Sequence, residues 1–231
     1  MEIKVSIRKM TIWLAITTVV LHGIGFVGRT VEHLLGYKKT TEFVRLFHVA
    51  EEANIISWFS SLLLLFSALL LAVIAREKKI HADTYRRHWT FMSIMFFYIA
   101  LDEAAAIHEI TIKPLRLFFG AGGFFYFSWV ILAIPILLLL ALLYFRFVFS
   151  LPNNTRNEFI LAGSIYILGA LGMEMIGGYF LKTKVGGLDV YPFCVTIEEF
   201  LENVGIVIFI YSLTSYIKSQ LETKEISIQF L

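Results

Sequence analysis

Residues 100–109, ALDEAAAIHE, place Asp102, Glu103, His108 and Glu109 directly behind WTFMSIMFFYI, an apolar run with the character of a membrane helix. Carboxylates and imidazoles are the side chains that move protons and hold transition metals. Glu174, Glu198, Glu199 and Glu202 fall in other apolar stretches, so seven of the 18 acidic residues lie where hydrocarbon is expected. An acid near the centre of a membrane helix costs about 3 kcal/mol to insert. Seven facing lipid would cost roughly 20 kcal/mol, more than the about 5–15 kcal/mol that holds a typical fold together. These groups must therefore face the interior of a helix bundle, a wet recess or the headgroups.

Like charges a few ångströms apart cannot both ionise in a low-dielectric site, so the group must share protons, pair with Arg29 or bind a cation. Asp102, Glu103, Glu174 and Glu202 are deep under any reasonable placement of the spans and are the expected acid–base groups. A one-turn shift in the boundaries would move Glu109, Glu198 and Glu199 to the headgroups. Glu103, Glu174, Glu199, Glu202, His22 and His108 form the candidate metal-ligand set. Carboxylate oxygens with one or two imidazoles suit iron or manganese and admit zinc. Arg29 is expected to bind a carboxylate or an anionic headgroup. Two metal motifs are absent: the spans contain no Glu-x-x-His pair, and HEITI has Ile112 where H-E-x-x-H needs its second histidine.

The elements that must position these groups follow from composition. The chain has 231 residues, 58% of them hydrophobic and only 16% charged, where a soluble domain carries about 25% charged residues. The apolar residues form long runs between short polar loops, which predicts an all-α, polytopic membrane protein with a single helical domain. Six spans of about 20 residues each fall near 11–35, 53–75, 90–110, 124–147, 158–181 and 192–216. MEIKVSIRK opens the chain as a signal peptide would, but HGIGFVGR offers no cleavage site and the first span reads as a retained helix. Twelve lysines and arginines fall on one side of this arrangement and eight on the other, which predicts both termini in the cytoplasm, in a cell (inner) membrane or an equivalent internal one. A net charge of +2 gives no basic surface for nucleic acid, and Cys194 alone permits neither an internal disulfide nor a cysteine metal site.

With this orientation, the acids of spans three, five and six share the outer half of the membrane. The inner halves, TFMSIMFFYIA, FILAGSIYILGA and GIVIFIYSLTSY, contain none. At about 100° per residue, Asp102 and Glu109 share a face, as do Glu198 and Glu202. Gly163, Ala170 and Gly178 stripe the Glu174 face and predict a tight helix contact there. His22, Arg29 and His33 line one face of the first span, which is expected to pack on spans three, five and six around a carboxylate/histidine chamber open to the outside. Spans two and four carry almost no ionisable groups and read as lipid-facing walls. The 36–52 connection has the pattern of an interfacial helix.

Three functions fit this pattern. The first is a metal-dependent intramembrane enzyme acting on a lipid-like substrate. The second is a proton- or cation-coupled transporter, since buried carboxylates also mark ion pathways. The third is a non-catalytic subunit or assembly factor whose polar groups serve packing. The one-sided placement of the acids disfavours the transporter, because an inverted repeat would carry acids to both sides.

Overall fold

The computed structural model describes residues 6–35, 46–47, 54–181, 184–185 and 188–220. The described chain is helical apart from short turns and one two-residue antiparallel pairing, Lys184–Val185 with Leu188–Asp189. The helices are α1 (Ile7–Leu35), α2 (Ile55–Ile80), α3 (Arg86–Ala105), α4 (Glu109–Phe119), α5 (Val130–Ser150), α6 (Asn153–Ile167), α7 (Glu174–Phe180) and α8 (Tyr191–Gln220). Four stretches are long and apolar enough to cross a membrane: the Ile7–Gly28 part of α1, α2, α5, and α6 continued through α7. The bent pair α3–α4 makes a fifth if it is counted as one span. Of the expected interfacial helix at 36–52, all but Leu46 and Phe47 lies outside the described residues.

Helix α8 is the axis. It packs against α1, α2, α6 and α7, and Pro192 sits in its first turn, where a missing N–H costs little. Its approach to α6 and to the π-helical stretch that follows is a backbone contact. A Cβ on Gly205 would lie 2.9 Å from the carbonyl oxygen of Ala162 and 2.9 Å from the amide of Tyr166. A Cβ on Gly169 would lie 2.8 Å from the Glu198 carbonyl oxygen. The expected glycine stripe is corrected in part: a Cβ on Gly178 would lie 3.2 Å from the Gly123 carbonyl oxygen, but nothing lies within 4 Å of one on Gly163. The reason is the π-helical stretch Leu168–Met173 between α6 and α7. Its i→i+5 bonds take up extra residues per turn, so positions on either side of it lose the common face that an α-helix would give them.

Helices α2 and α3 run side by side, stapled by hydroxyl-to-carbonyl bonds from Ser61 to Ala100 (2.7 Å) and from Ser93 to Ala68 (2.9 Å). Asn54 caps α2, accepting from the amides of Ile56 and Ser57 at 2.7 and 2.9 Å. Helix α2 is thus an interior member rather than the lipid-facing wall expected, and Leu63, Leu64, Leu71 and Ile74 are buried along it. Helix α5 does behave as a wall, with Leu138, Leu139, Leu142 and Leu143 exposed. At the end of the bundle away from the acids, Trp89, Phe147, Phe159, Phe209 and Tyr216 close a dry aromatic core, and Phe96 stacks on Phe209 at 4.7 Å.

The third span is not continuous. It breaks after Ala105, and α4 leaves at 88° to α3. Ala106 takes a left-handed conformation (φ 47°), which costs a non-glycine residue about 1–2 kcal/mol. Asp102 offsets that cost by reaching across the turn to His108.

Replacing Gly205 by alanine should destabilise the protein by about 1–3 kcal/mol, because backbone atoms cannot step aside as side chains do. Gly163→Ala, with open space around it, should be neutral or slightly stabilising. Unfolding both variants in mixed detergent micelles checks the difference, and equal stabilities would contradict the contact.

Candidate functional site

The elbow between α3 and α4 builds the first half of the site. Asp102 Oδ1 accepts the backbone N–H of His108 at 2.8 Å, and Oδ2 lies 2.8 Å from His108 Nδ1. With the proton placed on Nδ1 by this network, Nε2 is the atom left to take a proton or bind a ligand. The same carboxylate that turns the chain therefore fixes the ring and its tautomer.

The second half comes from three other elements. The indole of Trp129, at the N-terminus of α5, lies 5.0 Å from the His108 ring, and its Nε1–H donates to Glu174 Oε1 at 2.8 Å. Glu174 opens α7, directly after the π-helical stretch, and its carboxyl group is within hydrogen-bonding reach of that of Glu198 on α8. Two carboxyls so close in a low-dielectric site favour a shared proton over two adjacent charges. Glu202, one turn along α8, is in electrostatic range of Glu103, Glu174, Glu199 and Asp102. Tyr166 from α6 is in range of Glu202, Glu103, Glu199 and Asp102. All six carboxylates are partly buried, as is His108. Glu109 lies in the first turn of α4 and is exposed.

His22 belongs to a different layer, on the α1–α2 side of α8. Its Nδ1–H donates to the Thr18 carbonyl at 2.8 Å, and its Nε2 lies 3.5 Å from Asn203 Nδ2. Asn203 Nδ2 donates to Ser60 Oγ at 2.7 Å, and Ser60 donates to the Ile56 carbonyl at 3.0 Å. His22, Asn203 and Ser60 are all buried, so three helices are tied by a dry polar network. Glu199 stands between the layers: on α8 it is within about 40° of Asn203, and its carbonyl lies within hydrogen-bonding reach of His22. The expectation that the first span packs against the acid-bearing helices holds for α8, where its described contacts concentrate. The side chains of Arg29 and His33 lie outside the described residues.

Of the candidate set, the structure brings Asp102, Glu103, His108, Glu174 and Glu202 into one neighbourhood, adds Glu198 to it, sets Glu199 at its edge and places His22 apart. Among the described residues, no three histidine, cysteine or acidic side chains are set to hold a metal ion. Sequence reasoning missed Trp129, which reads as an ordinary interfacial aromatic, and Tyr166, which counted as an inner-half residue. It also missed Asn203, although a second polar residue beside Glu202 in an apolar helix was a signal available to be used.

Asp102→Ala should cost about 1.5–3 kcal/mol, the usual worth of charge-assisted hydrogen bonds, and free the His108 ring. Asp102→Asn, which can still accept the backbone N–H, should fall between. Unfolding in mixed micelles, with histidine NMR to follow the ring, tests this. An unchanged His108 environment in Asp102→Ala would contradict the assignment.

The chain belongs to the family described as a domain of unknown function (DUF8692), whose profile matches residues 11–216 and so includes every residue of the cluster. No curated protein and no solved structure matches it.

Proposed function

We propose that this protein is a six-span membrane enzyme that performs acid–base chemistry on a lipid-like substrate at the outer side of a cell (inner) membrane. The six spans are α1, α2, α3 with its bend, α5, α6 through α7, and α8. The distribution of lysine and arginine supports cytoplasmic termini. The observation that carries the reading is the Asp102–His108 pair, held opposite a Glu174–Glu198 carboxyl pair. A histidine with one nitrogen committed to a carboxylate and the other uncommitted is oriented for general-base work. A carboxyl pair that retains a proton beside it supplies the general acid. Asp102 is the positioning residue for the ring, Trp129 for Glu174. Glu103 and Glu202 set the local charge, and Tyr166 closes the cytoplasmic side of the cluster.

The donor set does not make a ready metal site among the described residues, so the proposed chemistry is written on the chain's own groups. Iron, manganese or zinc is the ion that Glu103, His108, Glu174 and Glu202 would select were the cluster to recruit one. A lipid-like substrate fits the surroundings, because Leu101, Ile110, Ile176 and Ile197, close in the chain to the site's acids, are exposed and apolar. A proton- or cation-coupled transporter is the second reading, favoured by the shared proton of Glu174 and Glu198. The aromatic inner core counts against it.

The test is to embed the purified protein in nanodiscs made from total lipid of its host and follow lipid masses over time, with elemental analysis of the same sample. The wild type should convert one lipid class, and His108→Gln should lower that rate by about 10²–10⁴-fold, the usual contribution of a positioned acid or base. Glu174→Gln should also lose activity while inserting normally. Wild-type protein that changes no lipid would overturn the enzyme reading, and proton flux in sealed vesicles would then test the transporter. Stoichiometric metal lost in a Glu103→Gln/Glu202→Gln variant would replace the metal-free mechanism.

A further inference from the structure

Helix α4 plays no part in the acid–base chemistry beyond its first turn, yet it has an unusual surface. Ile110, Leu117 and Phe118 are 72%, 75% and 81% exposed, and Pro114 is exposed between them. Their spacing of four, three and one puts all four on one helical face. No described residue covers that face. Phe119, Phe124 and Phe125 extend the exposed apolar surface past the end of the helix.

Length decides where this face can lie. At 1.5 Å per residue, the 20 residues of α3 reach about 30 Å, the thickness of the hydrocarbon core. The 11 residues of α4 reach about 16 Å and cannot cross it. Counted from Thr90, where the apolar run begins, α3 covers 16 residues and about 24 Å, so it has crossed most of the core by the time the chain turns 88° at Ala106. An 88° turn at that depth sends α4 along the plane of the membrane, near the level of the headgroups.

Charge selects the lipid. Lys113 lies at the flank of the apolar face, about 90° from its centre, and Arg116 lies further round on the same side, about 150° from it. Lys113 is exposed, while Arg116 is half-buried with its guanidinium 4.2 Å from the Tyr126 ring centroid, which holds it in place. A short amphipathic helix with apolar side chains below and basic groups beside them is the pattern of an interfacial anchor. The basic pair fits phosphate-bearing, anionic headgroups rather than neutral ones.

We propose that α4 is an in-plane anchor that seats in the outer-leaflet interface and binds anionic lipid headgroups through Lys113 and Arg116. This rests on the membrane placement in the proposed function but not on any catalysis. It also deepens that reading. His108 immediately precedes α4, so the anchor fixes the dyad at headgroup depth and gives an amphiphile lateral access from the leaflet.

The test uses nitroxide labels at Ile110→Cys, Leu117→Cys and Phe118→Cys in a Cys194→Ala background, in vesicles of phosphatidylcholine and phosphatidylglycerol. Power saturation with oxygen against a nickel chelate should place all three at one shallow depth. A depth that increases steadily from 110 to 118 would mean a re-entrant segment and would overturn the proposal. Free access of the chelate at all three sites would mean an aqueous face and would also overturn it. A separate measurement compares lipids co-purified with the protein. Phosphatidylglycerol should be enriched about fivefold per basic side chain, falling to parity in Lys113→Gln/Arg116→Gln. No enrichment in the wild type would remove the headgroup assignment. Neither readout depends on activity, so failure here is distinct from failure of the enzyme reading.

Discussion

Helix α8 carries Glu198, Glu199, Glu202 and Asn203 in two turns of otherwise apolar sequence, and none of these side chains can face hydrocarbon. That constraint places α8 at the centre, because only there can neighbours cover it on several sides. The rest of the bundle is arranged by what each neighbour offers. Helix α6 and the π-helical stretch after it come close enough, at Gly205 of α8 and at Gly169, for backbone to meet backbone. Helices α1 and α2 present His22 and Ser60 to Asn203. Helices α3, α5 and α7 bring the carboxylates, the imidazole and the indole. A polar group buried in a membrane is tolerable where others meet it, and here the neighbours of α8 each supply one.

The two ends of the bundle divide the work. One end is closed by Trp89, Phe147, Phe159, Phe209 and Tyr216, whose rings fill the space between α2, α3, α5, α6 and α8. Aromatic side chains bury large areas and keep water out. The other end keeps its carboxylates partly accessible, with no comparable plug among the described residues. Polar at one end and aromatic at the other, the interior is asymmetric along its length.

Much of this was legible in the sequence, because the energy of burying charge is large and its helical period is simple. The acids of α3, α7 and α8 lie in one neighbourhood. Other features left weak traces. Helix α2 looked like a wall because hydropathy barely registers serine, yet Ser60 and Ser61 make two of the contacts that hold it inside. The bend at Ala106 carries neither glycine nor proline, and its cause is a carboxylate four residues earlier that reaches past the turn. His22 was grouped with the acids by depth alone. Depth says nothing about which side of a central helix a residue takes.

The π-helical stretch before Glu174 carries a consequence of its own. It behaves as a single-residue insertion absorbed into a helix without a loop, and it sets the angular phase of everything after it. Removing one residue between 168 and 173 would restore the plain α pattern and swing Glu174 by roughly 100°, away from the Trp129 indole and the Glu198 carboxyl. The length of this stretch therefore works as a gear tooth. Counted in residues, it is among the smallest elements in the bundle, and it decides whether Glu174 meets the indole and the second carboxyl at all.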